Sequence, residues 1–336
     1  MKDGMLPAPT SRLAHCTARR RVITATAAVT LGAWLPARAQ DYPARQVGMV
    51  VNFPPGGPLD AVARVVAARL QELLKQPFVV DNVAGATGHI GASTVARAQP
   101  DGYILLMSID TPFTMSPALG APMPYRLDDL IAVACIGNTG SLVAVNPSLG
   151  VRDMAELVRR GRSETLNFST AGNASPGHFG ALMLAEATGI QLNPIHYRGN
   201  SPAALAVISG EVHGGVLAVT TMVSHLKAGK VLALAIAGPR RAISLPDVPT
   251  AAEAGVPSLD IDTQFVVMAP RALPASVGSR LQEAIAEAMK ASEVVQRLNA
   301  MEVLPASIMG DKAQAELLSA RQRYTAIAQR VGLKAE

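Results

Sequence analysis

Three short stretches of this 336-residue chain have the residue types of an anion cradle. The first is Phe53-Pro54-Pro55-Gly56-Gly57-Pro58-Leu59-Asp60, a proline- and glycine-rich turn between an apolar run and helical spacing. The second is Gly85-Ala86-Thr87-Gly88-His89-Ile90-Gly91, and the third runs from Ser169 through Ala171, Gly172, Asn173 and Ser175 to His178. The first turn of a helix carries unpaired N–H groups and the positive end of the helix dipole. Glycine lets an anion come close to that backbone, and Ser, Thr and Asn add neutral donors. Such a site holds a small carboxylate or phosphate. The plain alternative is a tight turn, with Asp60 or Ser175 stabilising the helix start. Candidate ligand contacts are therefore Phe53, Pro55, Gly56, Gly57, Thr87, Gly88, Ser169, Ala171, Gly172, Asn173, Ser175 and His178. Asp110 and Thr111, just past a strand end, are side-chain candidates for the same cleft or a helix cap. Arg198 is a candidate bidentate partner for a carboxylate.

Other chemistries find less support. No Gly-x-Ser-x-Gly elbow, His-Glu-x-x-His or phosphate-binding Gly-Lys-Ser/Thr occurs. The spacing of Gly85, Gly88 and Gly91 does not fit a dinucleotide fingerprint, and no cofactor is expected. Ser175 and His178 share a helix start and admit a nucleophile–base reading, but a polar cap explains them more simply. His89 has no second ligand at metal spacing and reads as a cap or rim residue.

The elements that must position these loops alternate between strand and helix. Val47 to Phe53 reads as a buried strand, and Val62, Val65, Val66, Leu70, Leu73 and Leu74 follow helical spacing up to Pro77. Phe78 to Val80, a helix through Val95 and Tyr103 to Met107 complete a βαβαβ order, which implies a parallel sheet with helices on both faces. Ligands bind such sheets beyond the carboxyl ends of the strands, where the glycine loops fall. A second unit begins near Ser141 to Val145, with a helix at Met154 to Arg160, a strand at Leu166 to Ser169 and a helix from His178 to Thr188. Two lobes that each present helix N-termini can clamp an anion from both sides.

Residues 1–39 read as an export signal: Arg19-Arg20-Arg21, an apolar run from Val22 to Leu35, and Ala37-Arg38-Ala39 as a cleavage box. The run is too short and Thr-rich to span a membrane. Lys2, Arg12, Arg19, Arg20, Arg21 and Arg38 against Asp3 hold the whole formal charge of +5, so the mature part is neutral. A neutral mature chain gives no support to nucleic-acid binding. Cys16 leaves with the signal, and Cys135 alone cannot form an intramolecular disulfide.

In order and spacing, further segments resemble one family. Beyond the three loops they are Pro100-Asp101-Gly102-Tyr103, Tyr197-Arg198-Gly199, Lys227-Ala228-Gly229-Lys230 and Leu245-Pro246-Asp247-Val248-Pro249-Thr250. Over essentially the whole mature chain the sequence is similar to the Bug family, the extracytoplasmic solute receptors of tripartite tricarboxylate transporters. The resemblance implies a two-lobed periplasmic-binding-protein fold (type II), each lobe a mostly parallel α/β sheet flanked by helices. Lobe 1 would be 41–138 plus 265–336 and lobe 2 would be 139–264, with crossovers near Ala132 to Val145 and Asp262 to Met268. It further implies a periplasmic, monomeric receptor that closes on a small carboxylate and docks on integral-membrane transporter subunits. A ligand sensor for a membrane kinase and, more remotely, an exported serine hydrolase are the alternatives. Departures from the family pattern are Pro55 for Ala, Thr87 for Gly, His213 and Leu217 where acidic residues are common, and Gln264 and Val266 at the second crossover.

Overall fold

The apolar run after Arg45 forms β1 (Val47–Val51), buried along nearly its whole length in the computed structural model, which describes residues 42–120 and 122–333. The export signal read at 1–39 lies outside the described residues. Burial on both faces is what a parallel strand between helical layers requires. Helix α1 (Pro58–Leu74) turns Leu59, Val62, Ala63, Val66, Ala67 and Leu70 inward and stops at Lys75, in the left-handed conformation, shortly before Pro77. There follow β2 (Phe78–Asn82), a single 3-10 turn at Ala86–Gly88, α2 (His89–Ala96), β3 (Ile104–Ile109) and α3 (Thr111–Ala118). β1 pairs in parallel with both β2 and β3, as the βαβαβ reading expects.

Next come β4 (Leu130–Val145), α4 (Met154–Ser163), β5 (Leu166–Thr170), α5 (Pro176–Thr188), β6 (Leu192–His196), α6 (Asn200–Ser209) and β7 (Gly214–Ala218). The chain continues through α7 (Val219–Lys227), β8 (Leu232–Ala237), β9 (Asp262–Pro270), α8 (Ala275–Ala288), α9 (Ser292–Ala300), β10 (Leu304–Met309) and α10 (Gly310–Arg330). The strand order is β2-β1-β3-β9-β4-β7-β5-β6, with β8 and β10 also on β4. The two expected sheets are therefore joined through one 16-residue strand, β4. From Leu130 to Gly140 it pairs antiparallel with β9, and from Ser141 to Val145 with β7 and β8. β5 is parallel to β6 and β7, so the outer strands are parallel as expected and the central crossing strands are antiparallel. The antiparallel centre arises because β4 and β9 carry the chain out of the first half and back.

Each half has its own core. Val47, Met49, Val51, Val62, Val66, Leu70, Leu105, Met107, Leu281 and Ile285 pack beneath the first half. Val143, Val145, Phe168, Phe179 and Val216 pack beneath the second, and α10 adds Tyr324, Ile327 and Ala328 to them. The first turns of α10, through Ala313 and Leu317, instead join Phe113, Leu130 and Met268. The sequence reading assigns all of 265–336 to the first lobe, whereas α10 crosses from one half to the other. Arg323–Asp260 and Arg330–Glu186 ion pairs hold its far end to the second half.

Candidate functional site

Where β1 ends, Asn52 fixes the local geometry. Its amide donates to the carbonyl of Gly88 (3.0 Å) and to Ser108 Oγ (2.9 Å), tying the second glycine loop and β3 to the first. The chain then turns through Phe53-Pro54-Pro55 and reaches Gly56 at φ +78°, a conformation that favours glycine. The Gly56 N–H donates to Asp60 Oδ2 (3.0 Å) in the first turn of α1, and Arg64 pairs with the same carboxylate at 3.0 Å. Arg64 and the Gly56 N–H together hold the Asp60 carboxyl below its ordinary range. Gly57 caps α1 with φ −82° and no side-chain hydrogen bond.

The second half presents three helix starts. Ser175 caps α5 by accepting the His178 N–H at Oγ (3.2 Å). Gly177 lies so close to the Val216 carbonyl that any side chain would collide with it. Gly199, at φ +113°, donates its N–H to Ala171 O (3.1 Å), and Asn200 Oδ1 accepts the Ala218 N–H (3.1 Å). Those two bonds lash the loops after β5, β6 and β7 together. The starts of α1, α5, α6 and α7 thus converge on a cleft of about 570 Å³. Its floor is Thr139, Gly140 and Ser141 of β4 with Thr263 of β9, and among the described residues no ionisable side chain lines it. Fixed N–H groups at helix starts beside a space without charged side chains can hold an anion without a cationic partner.

Five of the residues expected from sequence line this cleft: Phe53, Pro55, Gly56, Gly57 and Ala171. Gly88 stands one layer behind, against the Phe53 ring, and Thr87 precedes it at φ +54°. Gly172, Asn173, Ser175 and His178 belong to the α5 loop but do not reach the lining, and Ser169 is fully buried in β5. Arg198 is exposed and points no charge into the cleft lining. Sequence reading missed Thr139, Ser141, Asn200, Ser201, Ala218, Thr220, Thr263 and Phe265. Of these only Asn200 and Ser201, directly after the Tyr197-Arg198-Gly199 segment, had a nearby signal.

Asp110 and Thr111 are buried away from the lining. Asp110 Oδ1 accepts the Gln264 N–H (3.1 Å) and Oδ2 the Thr114 hydroxyl (3.2 Å), so the carboxyl bolts the end of β3 to β9. Burial, reinforced by the nearby Asp262 carboxylate, pushes it up to about 7. Asp262 is itself raised by burial and accepts from the Asn138 amide at 2.6 Å. These polar contacts lie where β4 and β9 pass between the halves.

Ser175 and His178 do not form a nucleophile–base pair. The Ser175 hydroxyl is engaged at the backbone, and His178 Nδ1 faces the Ala174 N–H (3.3 Å) and Asn173 Oδ1 (3.1 Å). Burial and the His196 ring packed against it lower His178 to about 4, so it is neutral at physiological pH. His89 Nδ1 lies 3.1 Å from the Tyr125 hydroxyl. Among the described residues no group of three His, Cys, Asp or Glu side chains stands together to hold a metal, and no helix is long and apolar enough to cross a membrane.

The model of the "Tripartite tricarboxylate transporter family receptor" matches residues 62–333. Protein BugT of Bordetella pertussis is 33% identical over 309 residues, which is 91% of this chain and 95% of BugT. Among solved structures, R. palustris Rpa4515 with adipate is 29% identical with a TM-score of 0.78, covering 88% of this chain and 99% of that one. MatC from Rhodopseudomonas palustris with bound malate is also 29% identical, with a TM-score of 0.71 over 85% of this chain and 99% of MatC.

Proposed function

The chain belongs to the tripartite tricarboxylate transporter receptor family, and from that premise we propose that its mature form captures a small carboxylate in the cleft and delivers it to membrane transporter subunits. The observation that carries this reading is the convergence of helix starts, three of them with no acidic residue in the first turn, on a cleft that among the described residues has no ionisable side chain in its lining. An anion there meets N–H groups fixed before it arrives, so little reorganisation opposes binding. Adipate and malate in two solved neighbours support the carboxylate class.

Capture proceeds by hinge closure. Lobe 1 comprises 41–138 and 265–336, the far end of α10 packing on the second lobe, and lobe 2 comprises 139–264. The hinge is the paired stretch where Asn138 to Gly140 meets Asp262 to Gln264. A ligand bonded to both lobes binds the closed state more tightly than the open one and shifts the population toward it. The receptor works in the periplasm, exported by residues 1–39, as a monomer and without a catalytic step, since Ser175 and His178 are engaged elsewhere.

The test is a thermal-shift screen of the mature chain from Gln40 against mono-, di- and tricarboxylates, followed by calorimetry on each hit. A ligand that binds only the folded state raises Tm by mass action, so micromolar binders register. No shift with any acid, in protein shown by mass spectrometry to carry no copurified ligand, would overturn the reading.

A further inference from the structure

The two walls of the cleft differ in kind. On the first-half wall stand Phe53, Pro54, Pro55, Leu59, Ile109 and Phe265, an apolar surface. Its one helix start already holds a carboxylate: Asp60 lies in the first turn of α1 and takes the Gly56 N–H. Pro54, Pro55 and Pro58 have no N–H to offer. On the opposite wall α5, α6 and α7 have no acidic residue in their first turns, and Asn200, Ser201 and Thr220 add polar side chains. At the floor between them Thr139 is only 9% exposed, and its hydroxyl has no protein partner.

Resting on the receptor reading above, we propose that this cleft selects a monocarboxylate with a hydrocarbon body, aliphatic or aromatic, rather than a di- or tricarboxylate. The carboxylate lies against the starts of α5, α6 and α7 with Thr139 as an added donor, and the body packs on Phe53, Leu59 and Phe265. A second carboxylate would face the apolar wall, where Asp60 occupies the only helix start and Arg64 is committed to Asp60. Stripping water from that charge without a partner opposes binding. An ammonium meets the same obstacle, because no carboxylate side chain lines the cleft. The hydrocarbon body instead gains from leaving water.

Isothermal titration of the mature chain with matched pairs decides the matter: hexanoate against adipate, and benzoate against terephthalate. At least tenfold tighter binding of the monoacid in one pair, with no pair reversed, is expected. Equal or tighter binding of the diacids overturns the selectivity while leaving the receptor reading standing. Failure of all four acids, and of malate and citrate, removes both. A Pro55→Lys variant gives an independent check, since Pro55 is exposed. A cation on the first wall should raise the adipate-to-hexanoate affinity ratio at least fivefold. An unaltered ratio of the two affinities overturns the assignment of the body to that wall.

Discussion

Two glycines at the cleft do opposite jobs, and their backbones say which. Gly57 has an ordinary φ of −82°, and a Cβ there would come no closer than 3.5 Å to the Pro54 carbonyl. Gly57→Val should therefore fold normally, yet its branched side chain adds bulk to the cleft wall on which the ligand body packs. Calorimetry should show at least a tenfold loss of ligand affinity with Tm held within about 2 °C, a shift worth about 1 kcal/mol. Unchanged affinity would remove the Phe53 to Asp60 loop from the site. Gly177, pressed on the Val216 carbonyl, is instead required by packing. Asp110 yields a second residue-scale prediction. Its carboxyl is raised to about 7 in the fold, well above the value for an unfolded chain, so the native state binds more protons between those limits. The Asp110 contribution to stability is therefore fully present at acid pH and is lost as pH rises through about 7. Asp110→Asn should flatten that part of the profile and exceed the parent by about 2–4 kcal/mol at pH 8. Denaturant titrations of both proteins from pH 4 to 8 measure it; parallel profiles would refute the buried charge.

At the scale of elements, helix starts carry most of the site. Ser175 caps α5 through a single hydroxyl bond, so Ser175→Ala should cost about 1 kcal/mol. Ligand affinity should change less than twofold, because the hydroxyl does not line the cleft. A large loss of affinity in a folded variant would return Ser175 to the ligand. The same elements explain what could be read from sequence. β1, α1, β2, β3 and α5 were legible because apolar spacing is broken by glycine and proline at their ends. The Phe53 to Asp60 loop was legible for the same reason. Ala218 and Thr220 were not, since β7 passes directly into α7 with no glycine or polar loop to mark the turn. Thr139 and Thr263 face each other only through the antiparallel register of β4 and β9, which joins positions more than a hundred residues apart. Asp110 carried the right residue type for a ligand contact. Its use as a bolt between β3 and Gln264 depends on that same long-range pairing.

Considered whole, the molecule divides by chain order as well as by space. β4 through β8 and the segment after them up to Ile261 are contiguous in sequence and supply most of the second half, to which Met115, Leu119 and the last turns of α10 add. The first half is not contiguous: β9 must insert between β3 and β4, and β10 must reach β4, before that sheet has its centre. Loop closure over so long a span is slow, whereas neighbouring strand–helix units assemble early. Pulse-labelling hydrogen exchange during refolding should protect β5 and β7 before β1 and β3; simultaneous protection would argue against this sequence of events. A chain synthesised from its N-terminus consequently holds β1, β2 and β3 waiting for a strand that arrives some 150 residues later. The cleft gains Thr263 of its floor and Phe265 of its first wall only once that late strand has been made.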